Sequence, residues 1–171
     1  MFMPKLIMII FFLSGSVQAN DETYQALGAP IDQTISHPEL NLTIFPDGTG
    51  LPEGSGSVAQ GKQLFNRLCI SCHGQGGRGG SAMALTGDIG SLNSAYPEKT
   101  VNSFWPYATT LFDYIRRSMP PSAPFSLSSN EIYALCAYVL SQDAILDENA
   151  VLDKTTLPQV KMPNRDGFLP R

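Results

Sequence analysis

Two thiols three positions apart, with an imidazole directly after the second, stand in the stretch "NRLCISCHGQGG" as Cys69, Cys72 and His73. Three chemistries use such a pair: structural zinc binding, dithiol exchange and covalent attachment of haem. A structural zinc site needs four ligands, usually two such pairs or one pair with distant histidines. Beyond the pentapeptide only Cys136 and His37 remain, far apart in the chain. A thioredoxin-type dithiol belongs in a βαβ pattern and gains nothing from the histidine, whereas the residues around this one have helical spacing. Cys-x-x-Cys-His is the attachment signature of haem c, because thiols at that spacing can bond both vinyl groups while the next residue faces the iron. On that reading Cys69 and Cys72 form the thioethers and His73 is the proximal axial ligand. One motif implies one covalent haem c; zinc and a chance pentapeptide are the readings it must outweigh.

The other face of the iron needs a second donor. Past the amino-terminal segment the chain offers Met83, Met119, Met162 and His37. Met83 follows His73 by ten residues, in a segment that must first leave the proximal face, so it reads as a loop or packing residue. Met162 lies in a polar tail. Met119 precedes "PPSAP", residues 120–124, a stiff turn that would present its thioether from a loop before the last helix. Met119 is therefore the expected distal ligand, against the ordinary alternative of a core-filling methionine. Met/His ligation raises the haem potential and leaves no vacant position for a substrate, as a one-electron carrier requires. Trp105, Tyr107 and Arg116 are candidates to shield the haem or hydrogen-bond to it, and the sequence does not choose among them. Cys136, the odd cysteine, sits on an apolar helix stripe and reads as a buried thiol rather than a ligand.

Three helices would have to hold these groups. "SVAQGKQLFNRLC" opens with Ser57 and Gln60 in capping-box spacing, and Val58, Gly61, Phe65 and Leu68 share one face. "SSNEIYALCAYVL" repeats the device with Ser128 and Glu131 ahead of a stripe of Ile132, Leu135, Cys136 and Val139. Gly61 would let the two helices approach closely, with Phe65 beside Tyr138. Between them, "WPYATTLFDYIRRSM" puts Pro106 in a first helical turn, followed by Ala108, Leu111, Phe112 and Ile115. This helix should end near Arg117, where Arg116 and Arg117 complement the C-terminal dipole; partner docking or contact with a haem propionate is the sharper reading of that pair. "GQGGRGG", residues 74–80, reads as a flexible loop and lacks the Lys and Ser/Thr of a phosphate loop.

Compartment and charge narrow the function. "MFMPKLIMIIFFLSGSVQA" carries one cation, a short apolar run and small residues at Val17 and Ala19, the pattern of a signal peptide cleaved after Ala19. Its apolar core is much shorter than the roughly 20 residues that span a bilayer, so the mature chain is expected to be a periplasmic protein without a membrane span. Without Lys5 the 11 basic and 15 acidic residues become 10 and 15, a formal net charge of −5. No basic patch is present, so nucleic acid is not an expected partner. Residues 20–56 and 143–171 are rich in proline, glycine and acidic side chains and read as extended arms, which could wrap a partner or pack back on the centre. The centre, residues 57–142, is small enough that a large covalent cofactor would supply much of its core.

Taken together, "CISCH", the contact of Gly61 and Phe65 with Tyr138, and Met119 resemble a class I cytochrome c. More narrowly, "FPDGTGLPEGSGSVAQGKQLF", "TVNSFWPYATTLFDYIRRSMPPSAPFSLSSNEIYALCAYVL" and "LPQVKMPNRDGF" resemble the cytochrome subunits of Sox sulfane dehydrogenase and of sulfite dehydrogenases. The resemblance implies an all-α class I cytochrome c fold around the haem, with extended N- and C-terminal arms. It also implies a molybdopterin-containing partner that oxidises a sulfur compound and passes electrons singly to the haem, from which a downstream cytochrome or oxidase collects them. The competing functions are a freestanding periplasmic carrier to a terminal oxidase, and a haem enzyme such as a thiosulfate dehydrogenase.

Overall fold

The structure is a computed structural model that describes residues 43–168. The expected signal peptide, residues 20–42 of the amino-terminal arm, and His37 lie outside the described residues, as do residues 169–171. Among the described residues five α-helices follow in order: α1 (Val58–Leu68), α2 (Ile70–His73), α3 (Val101–Phe104), α4 (Ala108–Ser118) and α5 (Ser129–Ser141). Two three-residue strands, β1 (Ser55–Ser57) and β2 (Val151–Asp153), pair antiparallel with Gly56 opposite Leu152. Among the described residues no helix is long and apolar enough to cross a membrane.

Both expected capping boxes form. Ser57 Oγ accepts from the Gln60 amide at 3.3 Å while Gln60 Oε1 accepts from the Ser57 amide at 2.9 Å. At α5, Glu131 Oε2 accepts from the Ser128 amide at 2.9 Å, and the same bonds hold the Glu131 carboxyl below the usual carboxylate range. Each box satisfies amide donors that would otherwise lack partners at a helix start.

Helix α5 is buried continuously from Ile132 to Leu140, wider than the single stripe its spacing suggests, because other elements cover it on every side. Helix α1 crosses it at Gly61, where a Cβ would fall 1.9 Å from the Ala134 carbonyl oxygen and 2.7 Å from Tyr138 Cβ. Gly56, on β1, meets the same residue: its Cβ would stand 2.2 Å from the Ala134 amide nitrogen. One turn along α1, Phe65 packs its ring on Tyr138 with centroids 5.1 Å apart. Phe112 of α4 reaches α5 on another side, its ring 4.6 Å from that of Tyr133.

Three features depart from the sequence reading. Pro106 does not enter the first turn of α4; it precedes the helix, which Tyr107 caps in extended conformation. Proline disfavours the helical region for the residue before it, so Trp105 is extended and separates α3 from α4. The short α3 carries no familiar start signal, since its box pairs Thr100 with Ser103 rather than with Glu or Gln. The carboxy-terminal segment also lies back on the helices: Leu152, Leu157, Val160 and Met162 are all buried in the same core as α5. Met162 is therefore a core residue and not part of a polar tail.

Gly61→Ala should test the crossing directly. The added methyl overlaps backbone rather than a movable side chain, so the variant should lose about 1–3 kcal/mol or more of stability in a denaturant titration. A wild-type midpoint would contradict this geometry.

Candidate functional site

Cys69 ends α1 and begins α2, and its carbonyl accepts from the Cys72 amide at 3.2 Å and the His73 amide at 2.9 Å. That single turn carries Cys69, Cys72 and His73 at i, i+3 and i+4, the spacing that puts side chains on one face. They line a cavity of about 440 Å³, which α4, α5 and the Met119 loop complete with Leu111, Ile115, Met119, Leu135 and Val139. Roughly 300–1,000 Å³ is the ordinary size of a cofactor pocket, and apolar lining with a few placed donors is its ordinary character. Burial, and to a smaller extent Cys72, pushes the Cys69 thiol up to about 11, which disfavours thiolate exchange at neutral pH. Among the described residues no three His, Cys, Asp or Glu side chains gather as a metal cluster.

His73 is oriented by backbone. Its Nδ1 lies 3.1 Å from the Met83 carbonyl oxygen; donating there makes Nε2 the free lone pair of the ring. The chain returns to that point through "GQGGRGG", which is folded tightly rather than left as a loose loop. Gly74, at φ 75°, has no room for a Cβ, which would lie 2.1 Å from the Arg78 carbonyl oxygen. Ala82 then donates to the Cys72 carbonyl at 2.8 Å and Leu85 to that of Gly77 at 2.8 Å. The Met83 side chain is largely exposed, so this residue acts through its carbonyl.

A polar network fastens the loop to the end of α5. Asp143 pairs with Arg78 at 3.0 Å and accepts from the Gly87 amide at 3.1 Å and the Asn102 side-chain amide at 2.8 Å. Asn102 is buried and donates also to the Val139 carbonyl at 2.9 Å. Thr86 closes the arrangement by donating to the Gly76 carbonyl at 2.7 Å. None of these residues stood out in the sequence.

Across the cavity, the Met119 amide donates to Ile115 at 3.0 Å, closing α4 and leaving Met119 extended. The loop that follows is tied back where the Phe125 amide donates to the Arg116 carbonyl at 3.1 Å, with Phe125 at φ 60°. Of the three shielding candidates, Trp105 lines the cavity, with its ring edge-on to Tyr114 at 5.7 Å. Tyr107 and Arg116 do not line it. The Tyr107 ring instead lies under the Arg165 guanidinium, 4.6 Å away. Arg117 pairs with Asp113 one turn earlier at 2.8 Å. Cys136 is fully buried outside the cavity lining, and burial raises its thiol pKa further than that of Cys69, as expected for an inert core thiol.

The cytochrome c family profile matches residues 58–143. The chain belongs to the cytochrome c family. This cytochrome is 37% identical to a chain in the crystal structure of the sulfane dehydrogenase SoxCD from Paracoccus pantotrophus, with a TM-score of 0.76 over 85% of this chain and 72% of that one. It is also 26% identical over 145 residues to the thiosulfate dehydrogenase of Stutzerimonas stutzeri (strain A1501). That match covers 82% of this chain but only 43% of the relative, so the cytochrome spans less than half of that enzyme's length. The family's cofactor is covalently bound haem c, and the residues here fit it: two thiols, an imidazole with a free Nε2 and a thioether share one apolar cavity.

Asp143→Ala should remove the acceptor shared by Asn102, Gly87 and Arg78. The stranded buried donors should cost about 1–3 kcal/mol in chemical unfolding, whereas an exposed ion pair alone would cost far less.

Proposed function

We propose that this cytochrome is a monohaem electron-transfer subunit that accepts electrons from a molybdenum-containing sulfur-compound dehydrogenase acting on sulfane or sulfite in the periplasm. Cys69 and Cys72 attach the haem, His73 Nε2 is the proximal ligand and the Met119 sulfur the distal one. The observation that carries this reading is the convergence of these four groups, from two separate parts of the chain, on one apolar cavity. Bound there, the haem supplies a one-electron couple. The protein's own contribution is to hold the imidazole through Met83, to present the thioether from a loop tied at both ends, and to exclude water with α4 and α5. The likeness to a chain of the SoxCD structure at 37% identity supports the sulfur dehydrogenase as electron donor, and the amino-terminal pattern supports export. A downstream cytochrome or oxidase would then take the electron.

The thiosulfate dehydrogenase likeness favours a second reading, in which the chain itself oxidises a sulfur substrate. A replaceable sixth ligand is what that chemistry needs, so Met119 separates the two. For the carrier, Met119→Ala should bind cyanide readily while the wild type resists it, and the isolated cytochrome should not turn over thiosulfate. The haem should be reduced by sulfane or sulfite only when a molybdenum protein co-purified from the native periplasm is present. Equal cyanide binding in both proteins, or turnover by the isolated chain, would favour the enzyme.

A further inference from the structure

We infer that Asn164 and Phe168 are positioning residues for the cofactor: they set the wall of the cavity that Lys99, Thr100, Val101 and Trp105 form. The inference rests on the haem reading of that cavity. These four residues all line it, and on the α4 side the Trp105 ring meets that of Tyr114 edge-on. Its flanking residues are held from the far end of the chain. The Asn164 side-chain amide donates to the Phe104 carbonyl at 2.8 Å. Phe168 sets its ring edge-on to that of Phe104 at 5.2 Å, and the other flank, Tyr107, lies under Arg165. Three contacts from residues 164–168 thus land on the residues that bracket Trp105 and Pro106.

The segment is built to make them. Met162 anchors it in the core, the Arg165 amide donates to the Met162 carbonyl at 3.1 Å, and that of Gly167 donates to the Asn164 carbonyl at 3.1 Å. Gly167 has no Cβ because one would fall 1.9 Å from Asn164 Oδ1, so the turn leaves room for the amide that reaches Phe104. On the cavity side, the Lys99 ammonium lies over the Phe104 ring, 5.3 Å from its centroid. Phe104 therefore links the carboxy-terminal turn to a positive charge at the cavity rim. A cation at the rim of a haem cavity favours the reduced state, so releasing Phe104, and with it the Lys99 ammonium it holds there, should lower the reduction potential.

Trp105 is the only tryptophan in the chain and reports on this wall directly. In the full-length haem-loaded protein, Asn164→Asp keeps the side chain's size but sets an acceptor against the Phe104 carbonyl, and Phe168→Ala removes the ring. Each should brighten Trp105 emission as the indole leaves the quenching haem, and each should lower the reduction potential. Wild-type emission and potential in both folded variants would overturn the proposal. Phe168 is half exposed, so its variant carries the test if Asn164→Asp does not fold. Should the wild-type chain prove to carry no haem, the haem reading fails by itself; acrylamide quenching of Trp105 then still decides the bracing, which requires easier access in both variants and is refuted by equal access.

Discussion

At Gly61 the backbone of one helix stands where any side chain would have to be. Because α1 can lie this close to Ala134 and Tyr138 of α5, the carboxyl end of α1 arrives beside the apolar face formed by Leu135 and Val139. Cys69 is the next residue after that helix, so the crossing decides where the thiols and the imidazole stand. Gly56 repeats the approach from the strand side, which leaves Ala134 enclosed by two glycines. Close contact of backbones has no tolerance for added volume, and this makes the crossing a constraint rather than a preference.

What the crossing places, longer-range contacts hold. The glycine-rich loop brings the Met83 carbonyl to His73, and Asp143 ties the same loop to the end of α5 through Asn102, Gly87 and Arg78. The Met119 side of the cavity is built differently, by a loop whose two ends are hydrogen-bonded to α4. His73 is thus held through a polar network reaching the end of α5, and Met119 by its neighbours on the chain. Buried networks of this kind reward full satisfaction, and here the side-chain oxygen of Asn102 is the one orphan among the described residues.

Local rules make part of this legible in the sequence itself. Ser57 with Gln60 and Ser128 with Glu131 announce helix starts because both halves of the box are a fixed three residues apart. Gly61 and Phe65, one turn apart, mark a helix contact for the same reason. Cys69, Cys72, His73 and Met119 are conspicuous by type and spacing, and all four line one cavity. The rest depends on contacts that leave no local trace. A carbonyl such as that of Met83 looks like any other in a sequence. Asp143 and Asn102 meet across forty-one positions, and Leu157 and Met162 have no periodicity to reveal that they are buried. Pro106 reads as a first-turn residue because a proline suits that position as well as the linker before it, and the start of α4 after Tyr107 has no capping side chain to mark it.

Thioether bonds from Cys69 and Cys72 to one haem leave a mass that can be weighed. Protein matured in a host competent for haem attachment should be digested with trypsin and the peptide spanning Leu68 to Arg78 weighed. The peptide is expected at the mass of its sequence plus one haem, with neither cysteine open to alkylation. An unmodified peptide with two alkylatable thiols would contradict it.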